Sequence, residues 1–271
     1  MSPQPGEVIE PRELADWLLA RGRGWVTTSE AATLLDIPER HVAPTLARWR
    51  QRGHLFSPTK GLYVIVPAEF RSWGAVPASH FIDDFMNHLG HAYYVALLSA
   101  AELHGFAHQR PQVFQVMTPA RLRDRDFGRV RIRFVTDASL TDRVVDVVNT
   151  PTGTMRVSSV QTTVLDLVSH PNLSGGLSNV STILGEMVEE RRIDVAQLVA
   201  SAAMYPTSIA QRCGWLLDFV AHHVGVELDT SPLADSLERP RRVLLEPRGG
   251  RDGEKDGRWR VTANITPEPD L

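Results

Sequence analysis

Residues 40–60 combine a helical hydrophobic pattern with a run of basic side chains and contain no Asp or Glu. Val42, Leu46 and Trp49 stand at i, i+4 and i+7, which places them on one side of a helix over Glu39–Gln51. The chain as a whole has a formal net charge of -3, so this basic stretch stands out from the rest. The pattern predicts an amphipathic helix whose outer side favours a polyanionic partner.

Two shorter helices are predicted before this one. Residues 11–21 have an apolar face, and Ser29 is placed to cap a helix over residues 30–35. Asp36-Ile37-Pro38 is predicted to form the turn into the third helix, and Gly53 ends that helix. The arrangement predicts three helices in close succession.

An alternating apolar run follows the third helix. Leu55-Phe56 and residues 62–66 are predicted to form two strands, with the turn of residues 57–61 between them and Lys60 at its tip. Three helices followed by a hairpin predict a winged helix-turn-helix over residues 1–67. Pro44 lies inside the third helix, where proline costs about 3 kcal/mol, so we expect the first turn of that helix to be loose.

The winged helix-turn-helix predicts binding to double-stranded DNA. In that design the third helix enters the major groove, the capped start of the second offers backbone N–H groups to a phosphate, and the wing contacts the neighbouring backbone. A winged helix that only docks another protein is the alternative. The predicted DNA-binding residues are Ser29, Arg40, His41, Thr45, Arg48, Arg52 and Lys60.

Catalytic and metal motifs are scarce. Lys60 and Lys255 are the only lysines, and neither lies in a phosphate-binding GxxxxGK[ST] loop or follows an acidic residue at the spacing of a nuclease site. The sequence has no GxSxG motif, and Cys213, its only cysteine, excludes a disulfide and a zinc ribbon. His104 and His108 have helical spacing but lack a third ligand. We therefore expect a protein that is not an enzyme, without a metal or other cofactor.

No run of about 18 apolar residues and no basic-then-apolar leader is present, so we expect no membrane contact and a cytoplasmic location.

Residues 68–271 are predicted to form a larger α+β domain. Helices are expected over 81–89 and 93–104, followed by strands over 113–117, 130–135, 144–148 and 155–157, and then by helices over 162–169, 180–190, 194–203 and 209–224. The fold class is therefore α+β, with an N-terminal winged helix-turn-helix and a larger C-terminal domain.

Arginines are concentrated around the predicted strand at 130–135. They suggest a second basic surface that either extends a DNA contact or holds RNA, or else is only a solvated face. Its residues are Arg121, Arg123, Arg125, Arg129, Arg131 and Arg133, with Arg110 nearby and Asp124 and Asp126 opposing them.

The chain resembles the AbiEi-type antitoxins of bacterial abortive-infection systems. The resemblance covers nearly the whole chain and depends on the order of its features. They are Lys60-Gly61-Leu62-Tyr63, residues 98–105 (LSAAELHG), Val113-Phe114-Gln115-Val116, Thr163-Val164-Leu165-Asp166-Leu167, Pro171 with Gly175-Gly176-Leu177, and Trp259-Arg260-Val261-Thr262-Ala263-Asn264. Gln161-Thr162 departs from the Glu-Arg pair usual before the Thr-x-Leu-Asp helix.

The resemblance implies the antitoxin of a type IV toxin-antitoxin pair. The winged helix would bind inverted repeats in its own promoter and repress the operon. Residues 68–271 would neutralise a nucleotidyltransferase-like toxin encoded next door, with or without a stable complex. The alternative is a stand-alone winged-helix transcriptional regulator whose C-terminal domain senses a ligand or a protein.

Overall fold

The computed structural model of the chain describes residues 8–106, 111–238 and 240–271. The N-terminal part has the element order of a winged helix-turn-helix: α1 (Leu14–Leu19), β1 (Trp25–Thr27), α2 (Thr28–Leu35), α3 (Glu39–Gln51), β2 (Leu55–Thr59) and β3 (Leu62–Ile65). β3 pairs antiparallel with both β1 and β2. The hairpin and α3 lie where the sequence predicts them, except that β2 continues to Thr59, inside the predicted turn of residues 57–61. Strand β1 is an addition that the pattern did not predict.

A small core joins the three helices to one face of this sheet. Leu14, Leu18, Val42 and Leu46 are buried in it together with Tyr63 of β3. The apolar positions predicted for α1 and α3 therefore face inward. Trp17 and Trp49, at the edge of the same cluster, are partly buried.

A six-stranded mixed sheet forms the centre of the described chain. Its order is β6-β7-β5-β4-β9-β8, with β5 parallel to β7 and β4 parallel to β9, and the remaining pairs are antiparallel. The elements of this region are α4 (Ile82–Leu89), β4 (Tyr94–Val95), α5 (Leu97–Leu103), β5 (Phe114–Thr118), β6 (Arg125–Phe127), β7 (Val130–Thr136), β8 (Val145–Thr150) and β9 (Gly153–Ser158). Grouped strands and helices of this kind confirm the α+β class.

The helix predicted over residues 93–104 is wrong in its first part. Tyr94 and Val95 form the strand β4, which lies between β5 and β9 in the sheet. The helix α5 begins only at Leu97, whose φ of 54° marks the break between strand and helix. A short apolar run reads equally well as a buried strand or a helix, which is why the pattern did not separate the two.

Helices cover one face of the central sheet. They bury the largest apolar cluster against alternate strand residues such as Tyr94, Met117 and Val135. The elements of this half are α6 (Val160–Ser169), α7 (Gly176–Glu189), α8 (Val195–Ala202), α9 (Thr207–Val224) and α10 (Ser231–Asp235), followed by β10 (Val243–Leu244), β11 (Glu254–Lys255) and β12 (Val261–Ala263). The helices predicted over 162–169, 180–190, 194–203 and 209–224 correspond to α6, α7, α8 and α9 of this layer.

The other face of the central sheet packs against the winged helix. Phe56 and Val64 of the hairpin share a buried cluster with Phe81 before α4 and with Val130 and Ile132 of β7. Successive residues of β3 point in opposite directions, so this strand contributes to both cores, and all four of its residues are buried. A shared apolar core therefore crosses the boundary near Pro67.

Candidate nucleic-acid interface

Helix α3 presents the predicted basic residues to solvent. Arg40, His41 and Arg48 are exposed, Arg52 is exposed at the C-terminal end, and Thr45 is half-buried beside them. Val42 and Leu46 anchor the opposite side of the helix, which leaves this outer face available to a partner. Contact of these residues with DNA stays a prediction.

The first turn of α3 is regular, so the prediction of a loose turn at Pro44 is wrong. The helix is continuous from Glu39, and the His41 N–H donates to the Pro38 carbonyl at 2.8 Å. Pro44 is exposed and removes only the hydrogen bond to the carbonyl of Arg40, on the solvent side of the helix. Water can hydrogen-bond to a carbonyl at that position.

The cations of this face are not neutralised by neighbouring acids. Among the residues that the structure describes, none forms an ion pair with Arg40, Arg48 or Lys60. The guanidinium of Arg52 lies 5.9 Å from the centre of the Trp49 ring. Nε of Arg40 donates to Nε2 of His41 at 3.3 Å. Guanidinium groups without an acidic partner keep their terminal donors for an incoming phosphate or base.

His54 adds no charge to this face at neutral pH. Its ring packs edge-on against Trp49 at 5.1 Å between centroids. Burial, followed by the charges of Arg71 and Arg52, lowers the pKa of His54 from its ordinary value of 6.5. The positive potential therefore comes from the arginines and Lys60.

Ser29 is not the cap of α2, which corrects the sequence-based prediction. The cap is Thr27, whose side chain accepts from the Glu30 N–H at 3.2 Å, while the Glu30 carboxylate accepts from the Thr27 N–H at 3.0 Å. Ser29 is an exposed residue of the first turn. Because Glu30 already occupies this helix start with a negative charge, the structure gives no support to a phosphate contact there.

The tip of the wing is held by the larger half of the chain. Nε2 of His88 in α4 lies 3.2 Å from the carbonyl oxygen of Lys60, and Nε of Arg125 in β6 donates to the carbonyl of Pro58 at 3.3 Å. Gly61 has a φ of 89°, and a Cβ at this position would lie 3.3 Å from the His88 ring. The backbone of the tip is thus fixed while the Lys60 side chain remains exposed.

The arginines of the predicted second surface are divided between two faces of the β6–β7 hairpin. Arg125 pairs with Ile132 and shares the face toward the wing, whereas Arg131 pairs with Asp126 on the other face. Arg133 is bound to Asp124 at 3.5 Å. Arg121, Arg123 and Arg129 are exposed in the loops at the two ends of β6, and Arg110 lies outside the described residues.

A buried polar cluster lies under the Thr-x-Leu-Asp helix, and the sequence did not predict it. Tyr205 donates to Asp166 at 2.8 Å, and Tyr94 donates to the same oxygen at 3.5 Å. Arg143 stacks on the Tyr205 ring at 3.6 Å and is bound to Asp137 at 3.0 Å. Burial raises the pKa of Asp166 to about 7, although these hydrogen bonds and Arg143 act in the opposite direction.

The structure also reveals roles for residues that the sequence pattern left unassigned. His88, for example, contacts the wing through its Nε2. Trp73 and Phe114 line a groove beside Arg129. No local signal in the sequence predicts either role, because both depend on contacts between segments far apart in the chain.

Two absences apply to the described ranges. Residues 8–106, 111–238 and 240–271 contain no group of three or more His, Cys, Asp or Glu side chains placed to hold a metal ion. No helix in the same ranges is long and apolar enough to cross a membrane.

Comparison with known proteins gives a family match for the middle of the chain. Residues 94–219 match the family described as the AbiEi antitoxin C-terminal domain. The whole chain superposes on the crystal structure of the RV2827C protein from Mycobacterium tuberculosis with a TM-score of 0.64 and 15% sequence identity, covering 100% of this chain and 96% of that one. At this identity the likeness shows a shared fold. No curated protein gives a significant match.

Proposed function

We propose, from the AbiEi antitoxin C-terminal domain that residues 94–219 match, that this chain is the antitoxin of a type IV toxin-antitoxin pair. That match is the observation that carries the proposal. In this proposal residues 68–271 neutralise a nucleotidyltransferase-like toxin encoded by the neighbouring gene. Residues 1–67 bind inverted repeats in the shared promoter as a winged helix-turn-helix and repress transcription.

The exposed basic face of α3 supports the promoter-binding part. Arg40 and Arg48 project from a helix that is anchored by Val42 and Leu46, and neither arginine has an acidic partner among the described residues. An arginine in the major groove recognises guanine by two hydrogen bonds, whereas a lysine such as Lys60 contacts the phosphate backbone. α3 would therefore read sequence and the wing would add affinity.

The antitoxin role is tested by co-expression of the chain with the adjacent open reading frame. Growth arrest by the neighbour alone and rescue by the pair are the expected results. A neighbour that does not arrest growth, or one whose arrest the chain does not relieve, would contradict the antitoxin role while leaving promoter binding open.

Promoter binding is tested by titrating the labelled promoter fragment at several salt concentrations. If about five side chains neutralise phosphates, the slope of log affinity against log salt is about -4.5, a loss of roughly 500-fold between about 50 and about 200 mM. Binding that does not change with salt would argue against this interface.

Single substitutions separate sequence reading from backbone contact. Arg48→Ala should reduce discrimination between promoter and random duplex by about 1 to 3 kcal/mol, and Lys60→Ala should weaken both equally. Arg50→Ala is the matched control, because Arg50 is an exposed arginine of the same helix that lies about 200° around the axis from Arg48. We expect Arg50→Ala to discriminate between promoter and random duplex as well as the native chain does.

A further inference from the structure

A groove of about 690 Å³ opens beside the β6–β7 hairpin. It lies between the Gly128-Arg129 turn, the segment of residues 73–79, helix α5 and the start of β5. Its volume falls within the range of roughly 300 to 1,000 Å³ that is typical of small-molecule sites. The groove is separate from the outer face of α3, whose residues do not line it.

The lining combines aromatic rings with unpaired cations. Trp73 and Phe114 are half-buried, so each keeps part of its ring accessible. Arg129 and Arg131 are exposed, and neither forms an ion pair with a residue that the structure describes. The guanidinium of Arg129 lies 5.9 Å from the centre of the Trp73 ring, which brings a cation and an aromatic platform together.

Polar groups that can both donate and accept complete the lining. The Ser79 hydroxyl and the Gln112 amide lie along the groove with the two arginines. Glu102 is the one acidic residue among the described lining residues, so positive charge is in excess. The site therefore offers a ring surface, neutral hydrogen-bonding groups and a cationic end.

We infer that this groove binds a nucleoside phosphate, with its base against Trp73 or Phe114 and its phosphate on Arg129 and Arg131. Arginine forks bind phosphate oxygens by paired hydrogen bonds, and unpaired bases stack on aromatic side chains. An acidic peptide would use the arginines but leave the rings without a planar partner. Duplex DNA fits poorly, because the faces of its bases are already stacked on one another.

Two kinds of ligand carry an accessible nucleoside phosphate: a free nucleotide, and an unpaired nucleotide within an RNA strand. Fluorescein-labelled pentauridylate and pentaadenylate, with unlabelled UMP and AMP as competitors, distinguish them by fluorescence anisotropy on the full chain. Displacement of the oligomers by the monomers indicates a site for one nucleotide, whereas no displacement indicates recognition of the strand.

Substitutions in the groove link binding to this site. Trp73→Ala and the double variant Arg129→Gln with Arg131→Gln should each weaken binding by about tenfold or more, as is usual for loss of a stacking or phosphate contact. Arg121→Gln with Arg123→Gln is the matched control, because these exposed arginines belong to the same region but do not line the groove. The control should bind within about twofold of the native chain.

The outcomes separate this site from promoter binding. Groove variants should retain promoter affinity, and Arg48→Ala should retain affinity for the labelled oligomers. The inference is overturned if neither oligomers nor monomers bind, if the groove variants bind them as well as the native chain, or if a polyglutamate peptide competes better than UMP and AMP. Should Trp73→Ala fail to fold by circular dichroism, the arginine pair and its control decide the question.

Discussion

At the residue scale, Asp166 makes folding dependent on pH. Its carboxyl is fully buried, and the pKa of about 7 in the folded chain is well above the ordinary value of 3.8. Between about pH 4 and about pH 7 the folded chain retains a proton that the unfolded chain has released, so a rise in pH favours unfolding. The free energy of unfolding should fall through this range, by at most about 1.4 kcal/mol per pH unit from this group.

Asp166→Asn keeps an acceptor for Tyr205 and cannot titrate, so this variant should lose that part of the slope. Urea denaturation at intervals across the range measures it. Asp146→Asn, which changes an exposed carboxyl on β8, is the control and should retain the native slope. Equal slopes in the Asp166 variant and the native chain would show that Asp166 is not the group responsible.

At the element scale, the start of α2 depends on Thr27. Its side chain and the Glu30 carboxylate exchange hydrogen bonds with each other's backbone N–H. Thr27→Ala should lower the free energy of unfolding by about 1 kcal/mol. Ser29→Ala, two residues away on the exposed surface, should change it by less than about 0.5 kcal/mol. Denaturant titration measures the free energy of unfolding of both variants. A larger decrease for Ser29→Ala than for Thr27→Ala would contradict the role of Thr27 as the cap.

The wing offers a second prediction at this scale. Arg125 donates to the carbonyl of Pro58 from a strand outside the winged helix, so Arg125→Ala should loosen the tip that carries Lys60. We expect promoter affinity to fall by about fivefold, the equivalent of one hydrogen bond of about 1 kcal/mol. Arg123→Ala removes the same charge from a nearby exposed position and is the control. A similar loss in both variants would mean that charge, and not the position of the wing, sets the affinity.

Sequence patterns predict these elements unevenly, for identifiable reasons. The helix over Glu39–Gln51 was predictable because Val42, Leu46 and Trp49 repeat with the helical period. Strand β4 was not, since its two residues acquire their conformation from β5 and β9. The choice between Thr27 and Ser29 as the cap of α2 also could not be made from the sequence, because both are good capping residues and they lie only two positions apart.

The candidate site shows the same division. The exposed side of α3 follows from the positions of its buried residues, so the exposure of Arg40, His41 and Arg48 could be predicted from the sequence. The groove could not be predicted, because Trp73, Phe114 and Arg129 lie on three separate segments that come together only in the folded chain. Side chains that meet through long-range contacts carry no periodic signal in the chain.

At the scale of the whole molecule, the shared cluster predicts that the two halves unfold together. Phe56 lies 5.2 Å from Phe81 and 5.0 Å from Phe127 between ring centroids, so a central part of this cluster is built from both halves. Unfolding followed by far-ultraviolet circular dichroism and by tryptophan fluorescence should give one coincident transition. Phe56→Ala should lower its midpoint, with a loss of about 3 to 5 kcal/mol.

Separation of the halves provides the complementary measurement. A fragment of residues 68–271 would expose Phe81, Val130 and Ile132, which are buried in the full chain. We expect this fragment to bind a hydrophobic dye and to aggregate, unlike the full chain. Two distinct unfolding transitions together with a soluble, folded fragment would show that the chain does divide near Pro67.

The position of β3 between two cores also bears on how such a protein can evolve. A DNA-binding domain that is joined to the rest of its protein only by a linker can be exchanged for another domain, and the protein then acquires a new target. Here Leu62 and Val64 must fit Phe81 and Ile82 of the larger half, while Tyr63 and Ile65 of the same strand fit the helices of the winged helix. A foreign DNA-binding domain would therefore need matching changes across that contact. If α3 binds the promoter as proposed, new operator specificity is therefore easier to reach by substitutions on the outer side of α3, which touches neither cluster, than by replacement of the whole winged helix.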